Sequence, residues 1–267
     1  MKQMTTKWLM SGVALAAMFF TTSVQADVKQ GKAVVRAIHG SAKYTKGGGV
    51  FVPLKVGDTL YAGNAITTAG DSQVDLFLGD NGPVVRITDA TTLNFDKLSI
   101  NNTGAEKVIE TQMDLKNGRI LGNVKKLAQA SRYEVKIPNG VAGIRGTDYD
   151  ISSSGEVRCI NGSVLVAITR PNGTVQTFTL TAGQQVNPIS GVVSTIPAPI
   201  LAQLKRDVAN AISVATVITI PGGGPGGTIV KITPENNPSP GLGTTSDTQH
   251  HQGTTTETGT GNPGGGF

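Results

Sequence analysis

The sequence predicts an all-β protein, and three features lead to that prediction. Short segments alternate apolar and polar residues with period two, which is the pattern of half-buried strands. Asn-Gly pairs, which suit tight turns because both residues tolerate positive φ, occur five times. A single segment after the strands has the apolar spacing of a helix. We therefore expect a sandwich, barrel or solenoid with a substantial core.

Three segments show the alternation clearly, at residues 73–78, 132–137 and 163–168. Their predicted buried faces are Val74, Leu76 and Leu78; Tyr133, Val135 and Ile137; and Val164, Val166 and Ile168. Several of the Asn-Gly pairs are predicted to close hairpins. The pairs are Asn81-Gly82, Asn117-Gly118, Asn139-Gly140, Asn161-Gly162 and Asn172-Gly173.

The N-terminus has the parts of a secretory signal peptide. Lys2 and Lys7 precede an apolar run over residues 9–20, and small residues precede a cleavage position after Ala26. A membrane anchor needs about 20 apolar residues, more than this run supplies. We expect residues 1–26 to be removed and the chain to be periplasmic or secreted, with no membrane span left after cleavage.

The remaining chain divides by composition into three parts. Residues 27–196 carry the strand patterns, and residues 197–221 predict a helix over 199–213 with one further strand over 214–220. Residues 222–267 hold 13 Gly and 5 Pro, which predicts a disordered tail. The helix is expected to pack on the β domain or, alternatively, to bind a partner. Its apolar stripe is Ile200, Leu201, Leu204, Val208 and Ile212.

The residues that usually carry catalysis or bind metal are scarce. His39 is the one histidine of the predicted β domain, and Cys159 is the one cysteine of the chain. Cys159 shares a strand face with Val157, which predicts a small buried hydrophobe; the alternative is a thiol that pairs with another chain. No phosphate-binding glycine loop precedes a helix. We expect no catalytic site, no metal and no cofactor.

Pairs of carboxylates are the remaining candidates for catalytic residues. Asp148 and Asp150 are predicted to lie on one strand face, and Asp71, Asp75 and Asp80 are close in sequence. Two carboxylates at the right separation can hydrolyse a glycosidic bond. A carbohydrate-active enzyme therefore stays as an alternative.

The charge pattern bears on the partner. The formal net charge is +5, and the basic residues are spread singly and are not interleaved with aromatics. This pattern argues against nucleic acid and leaves an envelope protein or an anionic glycan as the partner. The oligomeric state is left open.

A set of short motifs runs in order through residues 33–193. The most specific is Arg145-Gly146-Thr147-Asp148-Tyr149, within residues 143–151. Further motifs lie at residues 56–60, 65–69, 73–80, 115–119, 135–142, 162–164 and 180–184. Together they resemble the FecR domain, the extracytoplasmic module named for the iron-dicitrate signal regulator, whose signature is R-G-T-[DE]-[FY].

The resemblance implies a twisted, solenoid-like or roll-like β domain that binds or senses and does not catalyse. It implies that Arg145 and Asp148 are structural, with Arg145 held by a carboxylate or by carbonyl groups. The alternative is that Arg145, Thr147 and Asp148 contact a ligand. Glycines of the matching motifs are expected to form structural turns, namely Gly57, Gly143, Gly146 and Gly183.

These features together predict an exported, noncatalytic binding or interaction module at the cell envelope. A second alternative is an accessory component of an iron-uptake or sigma-factor signalling system. The regulator of the family has a cytoplasmic segment and a membrane span, where this chain has a predicted signal peptide. We therefore expect that any membrane component of such a system is another chain.

Overall fold

The structure is a computed structural model that describes residues 28–170, 172–188, 190–219 and 229–231, with the six residues 217–219 and 229–231 described by backbone alone. The predicted signal peptide and almost all of the predicted tail lie outside these residues. No helix of the described part is long and apolar enough to cross a membrane.

Strands dominate the described residues, as the sequence predicts. The first eleven are Val28–Gln30 (β1), Ala33–His39 (β2), Ala42–Lys46 (β3), Val52–Pro53 (β4), Thr59–Leu60 (β5), Asn64–Thr68 (β6), Gln73–Phe77 (β7), Val84–Ile87 (β8), Thr92–Asn101 (β9), Val108–Asn117 (β10) and Arg119–Asn123 (β11). The next six are Arg132–Ile137 (β12), Gly140–Ser152 (β13), Val157–Thr169 (β14), Val175–Thr181 (β15), Gln184–Val186 (β16) and Val193–Thr195 (β17). The helix Ala198–Thr216 (α1) follows, and Val217–Thr219 (β18) pairs with Ile229–Lys231 (β19).

Two long strands, β13 and β14, join two layers of one curled sheet. The first half of β13 pairs with β12, and its second half pairs with β11. From β11 the first layer continues through β8, β7 and β2 to β5. From β12 the second layer continues through β10, β9, β6 and β3 to β4. Of these pairings only that between β10 and β12 is parallel.

The core lies between the two layers, and the predicted strand faces supply much of it. All nine residues of the three predicted faces are buried. They belong to the same cluster as Phe95 and Leu115 from the second layer. The all-β prediction and the predicted faces are confirmed, because alternation along a strand decides which side chains point inward.

Helix α1 covers the outer face of the first layer. Its buried residues are Leu204, Val208, Ala211, Ala215 and Thr216, and they pack with strand residues Phe77, Val84, Leu121 and Ile160. The prediction that the helix packs on the β domain is confirmed. The helix is longer than predicted and takes up residues 214–216, which the sequence assigned to a strand. Ile200 is also wrong as a stripe residue: it lies in the first turn and is 40% exposed, because the packed part of the helix begins at Leu201.

The Asn-Gly pairs divide into three kinds of structure. Asn81-Gly82, Asn139-Gly140 and Asn172-Gly173 lie at the hairpins β7–β8, β12–β13 and β14–β15. Asn117-Gly118 lies at the passage from β10 to β11, which do not pair with each other. Asn161-Gly162 lies inside β14, where it forms part of an irregularity opposite β13.

Candidate functional site

The motif at residues 145–149 forms an irregularity where β13 crosses between the two layers. Arg145 pairs with Ser163, the register shifts, and Asp148 pairs with Asn161. Gly146 and Gly162 face each other there with φ of +64° and +85°. An extra residue of this kind bends a strand and redirects its side chains.

Thr147 holds this bend in place. Its side chain is 1% exposed. Its hydroxyl lies 2.7 Å from the Ser163 carbonyl oxygen as donor and accepts the Ser163 N–H at 3.1 Å. Both bonds tie β13 to β14 across the bend, so the role of Thr147 in this structure is to fasten the backbone. Arg145, two residues before Thr147, is exposed, and Asp148, which follows Thr147, is half-buried.

A cleft of about 390 Å³ opens beside the bend. Residues 145–148 form one wall, and Asn123, Lys126 and Asn161 complete it with Val124. We call this the signature cleft. Asn123 ends β11, the neighbour of the second half of β13, and its backbone partner there is Asp148. The sequence indicated Asn161 only as part of a predicted turn, and it did not indicate Asn123 or Lys126, since no local pattern connects residues 123–126 to residue 148.

The charged groups of the signature cleft differ in how they are paired. The Asp148 carboxylate accepts a hydrogen bond from the Asn123 side-chain amide. Arg145 is exposed, and among the described residues its side chain has no hydrogen bond or ion pair. Lys126 is exposed and equally without a side-chain partner in the described part. The expectation that a carboxylate or carbonyl holds Arg145 is therefore not met, because the signature carboxylate is bound by Asn123.

Residues 64–165 match the family model described as FecR protein. The chain contains a FecR domain. The sequence resemblance is thereby confirmed for the part of the chain that holds the signature cleft and most of both layers.

Two solved structures are similar to part of this chain. Both are of a candidate anti-sigma factor from Parabacteroides distasonis ATCC 8503, with 17% and 16% sequence identity and TM-scores of 0.36 and 0.35. Each match covers 49% of this chain and 57% of that chain, so the likeness spans little more than half of that protein. A search of curated proteins gave no match to this sequence.

The carboxylates that the sequence left as catalytic candidates are engaged separately in the FecR domain. Asp150 is 2% exposed and accepts hydrogen bonds from Arg119 at 2.5 Å and from Arg158 at 2.8 Å. Asp75 is bound by Arg86, and Asp80 pairs with Lys107 at 2.9 Å. Asp71 lies in a turn with φ of +52°. Within the described residues, no group of three or more His, Cys, Asp and Glu could hold a metal ion.

The glycines of the FecR-like motifs do not all lie at turns. Gly57, Gly146 and Gly183 have φ of +91°, +64° and +80°, a region that L side chains rarely adopt. Gly143 lies instead inside β13, between Glu134 and Leu165 of the neighbouring strands. A side chain there would meet only the Leu165 carbonyl oxygen at 3.7 Å, an ordinary contact. The prediction of a turn at Gly143 is wrong, because the bend is made by residues 146–148.

Cys159 is fully buried and shares its face with Val157, as predicted. Burial raises the pKa of the Cys159 thiol to about 11, and the nearby Asp148 charge adds to the shift. Only the thiolate reacts with disulfide reagents. A raised pKa keeps the thiol neutral at pH 8, and burial blocks access.

We expect that Cys159 in the folded protein does not react with Ellman's reagent at pH 8 over hours, whereas protein unfolded in guanidinium reacts within minutes. The rate should be followed by absorbance as denaturant is raised. Reaction at the unfolded rate in native buffer would contradict the buried position of this side chain.

Proposed function

We propose that the chain is an exported binding module of the cell envelope, and that its FecR domain recognises an anionic partner through the signature cleft. The observation that carries this proposal is the exposed Arg145, which has no side-chain partner among the described residues. Most structural arginines are held by acceptors, and a guanidinium left open is suited to a carboxylate or phosphate from outside.

The surroundings of Arg145 support an anionic partner. Lys126 lines the same cleft. It also lines a neighbouring cleft of about 200 Å³ together with Lys125, and with Lys107 and Asp80, which pair with each other. The one carboxylate of the signature cleft, Asp148, is bound by Asn123. Positive charge therefore prevails along this surface, which favours association with acidic groups.

The module would act outside the cytoplasm, since the N-terminal segment has the pattern of a cleavable signal. A FecR domain in that compartment is suited to sensing or transmitting an envelope signal through a partner chain. A protein with an acidic surface and an anionic glycan both offer the required carboxylates. The proposal is for binding, with no chemical step assigned to the cleft.

The test is a binding comparison of matched arginine variants. The mature chain is used in a pull-down from envelope extracts and on a glycan array, beside Arg145→Ala and Arg206→Ala. Arg206 is an exposed arginine of α1 bonded only to Gln203 in the described part, so both variants lose one surface charge. Charge-assisted hydrogen bonds contribute about 1.5–3 kcal/mol, and we expect Arg145→Ala to weaken binding by about 10- to 100-fold. Arg206→Ala should bind like the original chain.

Raising the salt concentration should weaken the same interaction, because exposed charges are screened. Thermal melting of each variant establishes that it is folded. Full binding by a folded Arg145→Ala variant would rule out the signature cleft as the contact. Equal losses in both variants would point to net charge and not to this cleft.

A further inference from the structure

Strand β15 is an edge strand of the sheet and lies beside residues 163–169 of β14. It pairs with β14 over all seven of its residues. On its opposite side, no strand of the described residues pairs with it. Such an edge presents a row of unpaired backbone groups to another strand.

The composition of β15 sets it apart from the other edges of the two layers. Its sequence, VQTFTLT, contains no charged residue and no proline, and its pairing with β14 has no register shift. Natural edge strands are usually shortened, charged, bulged or broken by proline, which prevents pairing with other chains. The other outer strands of the described layers are two or three residues long, and β4 ends in Pro53 while β1 contains Lys29.

One hydrogen bond shows which backbone groups of β15 face outward. The Thr181 N–H donates to the Gln184 side chain at 2.8 Å, so it does not point toward β14. Alternate residues of an antiparallel strand direct their N–H and C=O groups to the same side. The backbone groups of Val175, Thr177 and Thr179 therefore also face the open edge.

We infer that two copies of the chain pair through β15 as antiparallel strands, about a two-fold axis at Phe178. In this register Thr177 lies opposite Thr179 of the second copy, and Val175 lies opposite Thr181. These are the residues whose backbone groups face the edge. Each Thr177–Thr179 pair can exchange two hydrogen bonds. Each Val175–Thr181 pair can form one, from the Val175 N–H to the Thr181 carbonyl oxygen, because the Thr181 N–H is already bonded to Gln184. A two-fold axis requires a surface that is complementary to itself, and this strand satisfies that condition.

The side chains favour the same partner. Thr177 and Thr179 are exposed on one face of β15, and Thr–Thr pairs across strands are stabilising. On the other face, Phe178 is 8% exposed and would meet Phe178 of the second copy. Because the strand is neutral, no like charges oppose each other across the axis. A second copy of β15 is therefore the occupant that this edge fits.

The inference is tested by sedimentation equilibrium of the purified chain over a wide concentration range. We expect a reversible monomer–dimer equilibrium. Thr177→Lys should weaken it at least tenfold, since it places two lysines beside the axis. Thr169→Lys is the matched control: Thr169 is exposed on the same sheet face, but it belongs to β14 and not to the edge. The dimer dissociation constant of Thr169→Lys should be close to that of the original chain.

A second variant and a second measurement distinguish a loss of dimerisation from misfolding of the chain. Thr179→Pro removes an N–H that faces the edge and keeps the hydrogen bonds to β14, so a folded monomer is expected. Hydrogen exchange should show that the amides of Val175, Thr177 and Thr179, which face the edge, become more protected as concentration rises. A monomer at every concentration, or an unaffected Thr177→Lys dimer, overturns the inference. Protection of these amides that is independent of concentration also overturns it, because the chain itself would then cover the edge.

Discussion

Replacing Asp75 by alanine is expected to lower the free energy of unfolding by about 3–5 kcal/mol, the usual cost of removing one partner from a buried ion pair. The side chains of Asp75 and Arg86 are 2% and 6% exposed. Arg86 donates to the two carboxylate oxygens at 2.6 Å and 2.8 Å. Without Asp75, the guanidinium would remain buried under α1 with no counter-charge.

The same variant should loosen the helix. Arg86 also donates to the side chain of Asn210 at 2.7 Å and to the carbonyl oxygen of Asp207 at 3.4 Å, both on α1. If the guanidinium turns toward water, these two hydrogen bonds to α1 are lost. We therefore expect hydrogen exchange in α1 to accelerate more than exchange in the second layer.

Urea unfolding followed by circular dichroism measures the loss, and Asp96→Ala is the matched control. Asp96 pairs with Lys136 at the surface, where the side chains are 32% and 47% exposed, so its removal should cost less than about 1 kcal/mol. The double variant Asp75→Leu, Arg86→Met should recover much of the lost stability, because it leaves no buried charge. Equal losses for Asp75→Ala and Asp96→Ala would contradict the buried pair.

Gly162→Ala is expected to destabilise the domain by about 3 kcal/mol or more, from backbone strain and steric overlap together. Gly162 has φ of +85°. An added Cβ would lie 2.2 Å from the Gly146 carbonyl oxygen and 3.0 Å from the Thr147 Cα. These are backbone atoms, so relief requires that β13 moves at the bend beside the signature cleft.

Gly173→Ala separates the cost of backbone strain from the cost of steric overlap. Gly173 has a similar φ of +81°, but a Cβ there meets no atom within 4 Å. The cost should be about 1–2 kcal/mol, from strain alone. Chemical unfolding of both variants gives the difference, and binding should be weakened only in Gly162→Ala, which distorts the cleft. Equal stability of the two variants would show that β13 and β14 are not so close at the bend.

The sequence indicated different things about Asp75 and Gly162. Asp75 was visible only as one of several nearby carboxylates, and nothing local indicated Arg86 as its partner. Gly162 was visible as part of an Asn-Gly pair that favoured a hairpin. Its position within β14, opposite Gly146, follows from the pairing of two long strands. In both cases the residue type was informative, whereas the contact depended on the fold.

The sequence by itself determined the fold class, the buried strand faces, the burial of Cys159 and the FecR motifs. Each of these depends on residues a few positions apart, because alternation along a strand decides which side chains face the core. The tertiary structure alone decided the signature cleft, the Asp75–Arg86 and Asp150–Arg119 pairs, and the position of Gly143 within a strand. These depend on which distant strands become neighbours and in which register, and that choice is made by packing of the whole core and not by any local pattern.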